Sequence, residues 1–226
     1  MSKELLIKTV DGGDRIKVPY MYHGQVGGLM TNASLVNHFG LSGGTSLNSS
    51  SWLSFTLDDK QLYIPSSNVY QSVTWNALNS RGLIHGVEIE IAGVKYICRA
   101  IRVSDETHSL PSYVNAMKLE PNHSEFCRLF LPILSASVYN GWGYTYTGPK
   151  YANLAANSVN AREQSFWCRE VNANNENQAF IIGYGWSTPS ITDIRPYDKA
   201  SATNVINSGG AYTLYRCWRP VFERVD

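Results

Sequence analysis

Aromatic and arginine side chains beside one long polar stretch are the residues of this sequence best suited to recognition chemistry. The stretch, residues 187–210, is rich in Ser, Thr, Asn and Pro, and Tyr184, Trp186, Arg195 and Tyr197 flank or occupy it. A loop of that length in a compact domain is either disordered or functional. Loop aromatics with a nearby arginine suit contacts with a sugar or a protein. We therefore predict these four residues as contacts for a receptor or a partner.

A second group of aromatics is denser, but it fits a structural role better. The segment "YNGWGYTYTGPKY" carries five aromatic residues within thirteen positions: Tyr139, Trp142, Tyr144, Tyr146 and Tyr151. Tyrosine and tryptophan combine an apolar body with a polar tip, so they serve both as core anchors and as contact residues. Because aromatics on strands usually pack inward, we expect this group to belong mainly to the core.

Catalytic patterns are missing from the sequence. It contains no GxSxG elbow, HExxH helix, P-loop or glycine-rich dinucleotide fingerprint. The neighbouring carboxylates Asp58 and Asp59 are explained by a turn, and Glu88 and Glu90 by the solvent side of a strand. The acid pair of a glycosidase meets only in the fold. A polysaccharide-modifying enzyme therefore stays an alternative to the non-enzymatic role that we expect.

Cysteine and histidine spacing does not indicate a metal site. No CxxC pair is present, and the five histidines show no metal-ligand spacing. Disulfides are not expected in a protein made in a cytoplasm. We therefore expect no metal and no cofactor, and we predict that the four cysteines are small buried apolar residues: Cys98, Cys127, Cys168 and Cys217.

Composition and charge limit the classes of partner. Only 16% of the 226 residues are charged, below the ~25% of typical soluble domains, and the net charge is +1. This balance argues against a nucleic-acid-binding protein. No apolar run approaches the ~20 residues of a membrane span, and the first residues do not resemble a secretory signal. We expect a protein made in a cytoplasm, without membrane insertion, whose neutral polar surface is typical of extended β structures.

Hydrophobic periodicity predicts the elements of the first half of the chain. The alternation over 52–64 around "DDK" predicts one hairpin, and "GVEIEIAGVKYICR" predicts a second over 86–99. Between them, "SVTWNALNSRG" predicts a short helix that is capped by Ser72 and stopped by Gly82.

In the second half, "SEFCRLFLPI" predicts a helix that is capped by Ser124 and ended by Pro132. The segments "FWCREV" and "AFIIGYGW" predict strands. "AYTLYRCWRPVFE" predicts one long closing strand whose end, at a sheet edge or a bulge, is marked by Pro220. On such a strand Arg219 and Glu223 are expected to be paired or solvated.

These elements predict an α+β fold that is mostly β, with short antiparallel strands, two or three short helices and long loops. We expect residues 1–51, which end in a Gly/Ser/Thr/Asn-rich run, to be an attachment segment and linker. Residues 52–104 are then the hairpin and helix part of the core. Residues 105–226 form a loop-rich part that closes the same module.

The order of these motifs resembles a family of tailed-bacteriophage virion proteins, of the tail fibre or tail tip type. In sequence order the motifs are "WLSFTLDDKQLYIP", the helix with Trp75, "AGVKYICRAIR", "SEFCRLFLPI", "GWGYTYTGPKYANL", "FWCREV" and "CWRPVFE". Members of the family carry a W-L-x-F strand, a G-x-x-Y-x-x-R strand and a terminal W-R-P-V-L-E strand. The likeness covers residues 52–226 and depends on the series of motifs rather than on one of them.

The closing "WRPVFE" also resembles the last core strand of C-type-lectin-like and formylglycine-generating-enzyme-like folds. The chain lacks the closely placed cysteine pair of that enzyme family, so the likeness implies the architecture and not the activity. It implies a loop-rich module with four scaffold tryptophans: Trp75, Trp142, Trp167 and Trp218.

The resemblance implies a virion structural protein that recognises a host surface glycan or outer-membrane protein through loops of its C-terminal module. Residues 1–51 would then contact other virion proteins, and a homo-oligomer, with a trimer favoured, would strengthen weak single contacts. A decoration or connector protein of the capsid, neck or baseplate, without receptor binding, is the alternative within the virion.

Overall fold

The computed structural model describes residues 5–7, 16–18, 20–47, 51–104, 109–110, 114–115, 124–130, 165–183, 193–206 and 212–225. Most of them lie in strands, and most ladders are antiparallel. The expected mostly β fold with short antiparallel strands and short helices is therefore confirmed. No helix within these ranges has the length and apolar character needed to cross a membrane.

The elements follow one another along the chain as seventeen strands and three helices within the described ranges. They are β1 (Leu5–Ile7), β2 (Ile16–Val18), β3 (Tyr20–Gly27), α1 (Asn32–His38), β4 (Thr45–Ser46), β5 (Ser51–Leu57), β6 (Lys60–Pro65), β7 (Tyr70–Gln71), α2 (Trp75–Asn79), β8 (Val87–Ile91), β9 (Val94–Arg99), β10 (Ser109–Leu110), β11 (Val114–Asn115), α3 (Glu125–Phe130), β12 (Ser165–Asn172), β13 (Asn175–Gly183), β14 (Asp193–Asp198), β15 (Thr203–Ile206), β16 (Tyr212–Trp218) and β17 (Val221–Val225).

The smaller main sheet has six antiparallel strands in the order β3-β5-β6-β17-β9-β8. It contains both predicted hairpins, β5–β6 and β8–β9. The turn of the first hairpin places Asp58 and Asp59 at φ of 52° and 63°, and that of the second places Ala92 and Gly93 at 50° and 79°. Positive φ at both turn residues matches the right-handed twist of the flanking strands. Both hairpin predictions are confirmed.

The expected linker before Ser51 is not what the structure contains. β3 pairs with β5 along seven residue pairs, from Tyr20↔Leu57 to Gly27↔Ser51. The chain between these strands forms α1, whose N-cap Thr31 accepts a hydrogen bond from the Ser34 amide. Residues 20–47 therefore belong to the folded core, and Ser51 begins a strand. The Gly/Ser-rich composition suggested a linker, because the few apolar residues of α1 are scattered among small and polar residues in the sequence.

Side chains of α1 and of its flanking segment attach this region to the rest of the core. Leu35 is fully buried, and Val36 and Leu41 are buried beside it. Arg81 donates from Nε to the carbonyl of Phe39 and from Nη2 to that of Gly40, at 2.8 and 2.7 Å. These bonds satisfy carbonyls at the C-terminal end of α1.

Helix α2 is present as predicted, but its cap is two residues later. Thr74 is the N-cap, and its hydroxyl accepts a hydrogen bond from the amide of Ala77 at 3.0 Å. Ser72 has a φ of 61° and does not cap the helix. Gly82 follows the helix with a φ of 74°, which agrees with its predicted role as a stop.

The larger sheet has nine strands and also contains parallel pairs. Its main path is β11-β14-β13-β12-β16-β7-β4, with β10 beside β12 and β15 beside β16. β12 runs parallel to β16 and to β10, and the other ladders are antiparallel. The predicted strand "FWCREV" is confirmed as part of β12. Of the predicted strand "AFIIGYGW", the first five residues are confirmed as part of β13, and residues 184–186 lie outside the described residues.

The stretch expected to be a long loop contains two strands. β14 pairs with β13 over six residue pairs, and β15 pairs with β16 over four. Strand β14, "DIRPYD", has polar ends and a central proline, a composition that resembles a loop more than a strand. Cross-strand pairing with the apolar β13 outweighs this weak local preference.

The closing segment is two strands instead of one. β16 lies in the larger sheet beside β12, whereas β17 lies in the smaller sheet between β6 and β9. Arg219 and Pro220 form the crossing between the sheets, and both are buried. Arg219 is therefore not a solvated strand residue: it is buried between two strands, and its guanidinium donates to the carbonyls of Pro65 and Ser66.

Two apolar clusters hold the sheets and helices together. The first joins alternate residues of both sheets, so the sheets pack face to face; its buried members include Leu53, Phe55, Leu62, Ile64 and Val221 with Phe166, Cys168, Phe180, Ile182 and Ile194. The second covers α1 and α2 and includes Leu35, Trp52, Trp75, Leu78, Tyr96, Trp167, Ile181, Trp218 and Phe222.

Candidate functional site

A buried ion-pair network connects α3 to the smaller sheet. Glu125, the first residue of α3, is fully buried and binds Arg99 of β9 through both carboxylate oxygens, at 2.5 and 2.8 Å. Arg99 also contacts Glu223 of β17 at 3.1 Å, and Glu223 binds Lys60 of β6. The predicted pairing of Glu223 is confirmed. This network links three strands and a helix.

The same carboxylate holds the chain that follows β9. Glu125 accepts hydrogen bonds from the amide and the guanidinium of Arg102, at 2.9 and 3.0 Å. Burial raises the pKa of Glu125, but Arg99 and Arg102 outweigh burial and lower that pKa to about 2. Glu125 is therefore a permanently ionised structural residue at neutral pH.

A second buried carboxylate holds the next two residues. Glu170 of β12 is fully buried and accepts the amides of Val103 and Ser104, at 3.0 and 3.3 Å. The Arg169 guanidinium lies 3.4 Å from the Glu170 carboxylate and donates to the Ser104 carbonyl at 2.9 Å. Burial raises the pKa of Glu170 to about 7, although the backbone amides oppose this shift.

Segment 100–104 is thus held on both sides by carboxylates that are already engaged. The carboxylate oxygens of Glu125 and Glu170 already accept hydrogen bonds from backbone amides and form ion pairs with arginines. This arrangement is typical of structural residues. Neither of them is placed as a free general acid or base beside an open surface. The sequence did not single out either residue.

A different group of charged and aromatic residues lies where α2 meets the larger sheet. We define the cation–aromatic patch as Trp75, Tyr197, Lys199 and Arg216. The Arg216 guanidinium carbon stands 3.9 Å from the centre of the Tyr197 ring, and the Lys199 ammonium stands 4.6 Å from that of Trp75. Both distances fall within the range of attraction between a cation and a ring face. Tyr197 and Lys199 are partly exposed.

Backbone hydrogen bonds bring the patch together from three parts of the chain. The amide of Val73 donates to the Arg216 carbonyl, and the amide of Asn76 donates to the Lys199 carbonyl, both at 3.1 Å. The amide of Arg216 donates to the carbonyl of Ala202 at 2.9 Å. The loop before α2 and the turn after β14 are therefore both attached to β16.

The guanidinium of Arg216 is buried without a counter-charge among the described residues. Arg216 is 1% exposed, and its Nη1 donates to the Ser165 hydroxyl at 3.0 Å. Its Nε and Nη2 have no hydrogen-bond partner. Burial lowers the pKa of Arg216 from its ordinary value. The patch thus contains two unused donors behind an aromatic ring.

The structure describes two of the four predicted contact residues, and one of these two lies in the cation–aromatic patch. Tyr197 lies in the cation–aromatic patch, and Arg195 is exposed two positions earlier on β14. Tyr184 and Trp186 lie outside the described residues. Arg195 and Tyr197 stand on a strand and not in a loop, because β14 occupies part of the stretch that was expected to be irregular.

Three of the four predicted scaffold tryptophans are described, and all three are buried. The indole N–H of Trp75 donates to the Cys168 carbonyl, and that of Trp167 donates to the Val73 carbonyl, at 3.1 and 2.8 Å. Trp218 is fully buried and makes an edge contact with Phe39. These positions agree with a scaffold role. Trp142 lies outside the described residues.

The described cysteines behave as the sequence predicted. Cys98, Cys168 and Cys217 are buried free thiols, and burial raises the pKa of Cys98 and Cys168 well above the ordinary value. A raised pKa makes a thiol a poor nucleophile. Within the described ranges, no cluster of three or more His, Cys, Asp or Glu side chains could hold a metal ion.

No protein-family model, curated protein or solved structure matches this chain.

Sequence reasoning missed the cationic half of the patch. Arg216 interrupts an otherwise apolar and aromatic run, "YTLYRCW", and an arginine at a buried strand position needs an explanation. That signal was present in the sequence. Its link to Tyr197 was not, because nineteen positions separate the two residues and only the order of the strands brings them together.

Proposed function

We propose that this protein is a non-enzymatic structural component of a tailed-bacteriophage virion, at a tail fibre or the tail tip. Its C-terminal part, a C-type-lectin-like module in this proposal, presents the cation–aromatic patch to a glycan or protein of the host surface. The series of motifs over residues 52–226 supports the virion assignment. The low content of charged residues supports a surface that contacts partners through neutral polar and aromatic groups.

The single observation that carries the recognition role is the partly exposed Tyr197 ring stacked on Arg216. Tyrosine, tryptophan and arginine are the residues that contribute most to binding at protein surfaces. Trp75 and the backbone around Arg216 are fixed by buried hydrogen bonds, so the Tyr197 ring stands on a rigid support. A preorganised support reduces the conformational entropy that is lost when a ligand binds.

Attachment to the particle is proposed to use residues 1–51. Within that segment β3 forms one edge of the smaller sheet, and β1 pairs with β2 in a separate small ladder. An edge strand presents unpaired backbone groups that a neighbouring subunit can extend. A trimer would multiply weak contacts of the patch with a host surface.

The location of the protein on the intact particle tests the virion half of the proposal. Cryo-electron microscopy of the phage should show it at the distal end of the tail or on a fibre. Density at the capsid or neck, or in the baseplate away from host-facing surfaces, would favour the connector alternative. The edge strand β3 would serve subunit contacts equally well in that role.

Binding of the purified protein to host cells tests the recognition half. Labelled full-length chain should bind host cells saturably, and an excess of unlabelled chain should displace it. Cells of a phage-resistant host mutant that lacks the receptor serve as the control. Equal binding to both kinds of cell would refute specific recognition.

A further inference from the structure

The free edge of the Arg216 guanidinium is the most unusual polar feature of the described residues. Its Nη1 is occupied by the Ser165 hydroxyl, whereas Nε and Nη2 are buried without a hydrogen-bond partner. Ser165 in turn donates to the Tyr215 carbonyl, which fixes the orientation of its hydroxyl. Leaving buried charged donors unsatisfied is costly, so such groups call for an explanation.

The other buried arginines of the described residues each have a carboxylate or a backbone carbonyl as acceptor, although Nε of Arg169 is also without a hydrogen-bond partner. Arg99 binds Glu125 and Glu223, and Arg128 binds Asp58. Arg169 and Arg219 donate to backbone carbonyls. These partners supply the negative charge or the carbonyl oxygens that a buried guanidinium requires.

Arg216 has neither kind of acceptor. No described carboxylate forms an ion pair with it, and its described contacts are the hydroxyl of Ser165 and the side chain of Tyr197, whose ring and hydroxyl both lie within reach of the guanidinium. The fold therefore keeps a cation in its interior and leaves the acceptor to something outside the described chain.

The shape of the unused edge indicates the chemistry of that acceptor. The N–H bonds of Nε and Nη2 point in the same direction, so together they form a planar fork. This fork matches the two oxygens of a carboxylate in a bidentate pair. A neutral hydroxyl would satisfy only one of the two donors and would leave the charge uncompensated.

We infer that Arg216 is the anchor of a ligand site for a carboxylate-bearing sugar, such as a uronic or sialic acid residue of an acidic host glycan. This inference rests on the proposed recognition role and names its ligand class. The carboxylate binds the Nε–Nη2 edge, and the partly exposed Tyr197 lies over the guanidinium at the surface. Because Tyr197 covers the charge, its side chain has to rotate when the ligand binds.

Direct observation of the Arg216 side chain tests this inference. In ¹⁵N–¹H spectra of the full-length chain, the Arg216 Nε–H signal is the one that is missing from Arg216→Lys. Sodium glucuronate and N-acetylneuraminate should shift this signal saturably at constant ionic strength, whereas glucose should not. Arg216→Lys, which keeps the charge and loses the fork, should bind the acids about tenfold more weakly or worse by calorimetry, since it lacks the bidentate pair.

Three results would overturn the inference. The first is no shift with either sugar acid, the second an equal shift with glucose, and the third a shift with inorganic phosphate alone, which marks an unspecific anion site. Arg224→Lys, at an exposed arginine of strand β17 in the smaller sheet, is the matched control and should bind the acids like the natural chain. Melting curves of both variants show whether the fold is retained.

The outcome is separable from that of the proposed function. Cell binding that persists in Arg216→Lys, without a response to sugar acids, would reject the acidic ligand and retain host recognition. Saturable binding of sugar acids by a chain that does not bind host cells would reject host recognition and retain the carboxylate site.

Discussion

Individual charged residues of this protein fall into two groups according to their partners. Glu125, Glu170 and Arg99 are buried with full sets of hydrogen bonds, whereas Arg216 keeps two donors unused. The first group has the properties of a scaffold, in which buried charges are paired and hydrogen-bonded. Arg216 instead belongs to the ligand site proposed above, since two of its donors have no partner.

Replacing Glu125 by glutamine should destabilise the protein strongly. The change leaves Arg99 and Arg102 facing a neutral amide in a buried site, and breaking one partner of such a pair costs about 3–5 kcal/mol. Chemical denaturation at pH 7 measures this loss in the free energy of unfolding. Glu88→Gln, at an exposed residue that pairs with Lys95, should change that free energy by less than about 1 kcal/mol. Similar losses for both variants would contradict the role given to Glu125.

Glu170 should make the stability of the protein fall as the pH rises from 4.5 to 7. Its pKa is about 7 in the folded protein against an ordinary value of 4.5, so the folded state holds a proton that the unfolded state has released. Glu170→Gln has no carboxyl to hold this proton, so the pH dependence that Glu170 contributes disappears. The slope of the unfolding free energy against pH should therefore become more positive between pH 4.5 and 7. Glu125 acts at a different pH, because its lowered pKa stabilises the fold above 4.5 and that contribution is lost between 4.5 and about 2.

Urea unfolding of the natural chain and of Glu170→Gln at several pH values from 5 to 7.5 measures the difference in slope. Glu90→Gln, at an exposed position, is the control and should keep the slope of the natural chain. Parallel curves for the natural chain and Glu170→Gln would show that the carboxyl is ionised throughout this range.

At the scale of the elements, local patterns predicted the hairpins and helices well. Alternation around a two-residue turn is a local signal, and it identified β5–β6 and β8–β9. The missed strands β14 and β15 depend on pairing with distant strands, which no local pattern contains. The same holds for the exchange of sheets between β16 and β17, because alternation continues across Arg219 and Pro220.

The cap of α2 provides a test at this scale. Thr74→Ala removes the hydroxyl that accepts the Ala77 amide, and loss of an N-cap costs about 1 kcal/mol. Ser72→Ala should cost much less, since Ser72 does not cap the helix. Thermal or urea unfolding of the two variants measures this difference. A larger loss of stability for Ser72→Ala than for Thr74→Ala would show that Ser72 is the cap, as the sequence alone predicted.

Strand β17 should be essential to the whole fold. It pairs with β9 over five residue pairs and with β6 on its other side, so its removal opens the middle of the smaller sheet. Deletion of residues 218–226 should abolish cooperative unfolding, as measured by circular dichroism and calorimetry. Removal of Asp226 alone keeps every pair of β17 and should leave the melting temperature almost unchanged. Cooperative melting of the longer deletion would show that the segment is a dispensable tail.

At the scale of the whole molecule, two sheets packed face to face support a patch assembled from α2, β14 and β16. The sequence pointed to this region through Tyr197 and Arg195, which are distinctive residues in a polar stretch. It did not reveal Arg216 or Lys199 as their neighbours, since that proximity follows from the strand order β14-β13-β12-β16. Residue types in a sequence can thus suggest that a site exists. Which residues form that site depends on the order of the strands.

The proposed role in host recognition makes Tyr197 the residue to change. Tyr197→Ala removes the ring that covers Arg216 and should weaken binding to host cells about tenfold or more, the size of effect typical of a dominant aromatic contact. Tyr197→Phe keeps the ring over the guanidinium and serves as the matched control. Melting curves should confirm that both variants are folded.

Competition with phage adsorption tests host recognition and the role of Tyr197 in one measurement. Host cells are incubated with purified chain before the phage is added, and the fraction of adsorbed particles is counted. We expect the natural chain and Tyr197→Phe to block adsorption in a dose-dependent way, and Tyr197→Ala to need about ten times the concentration or more. Unchanged adsorption at saturating amounts of the natural chain would contradict host recognition by this protein.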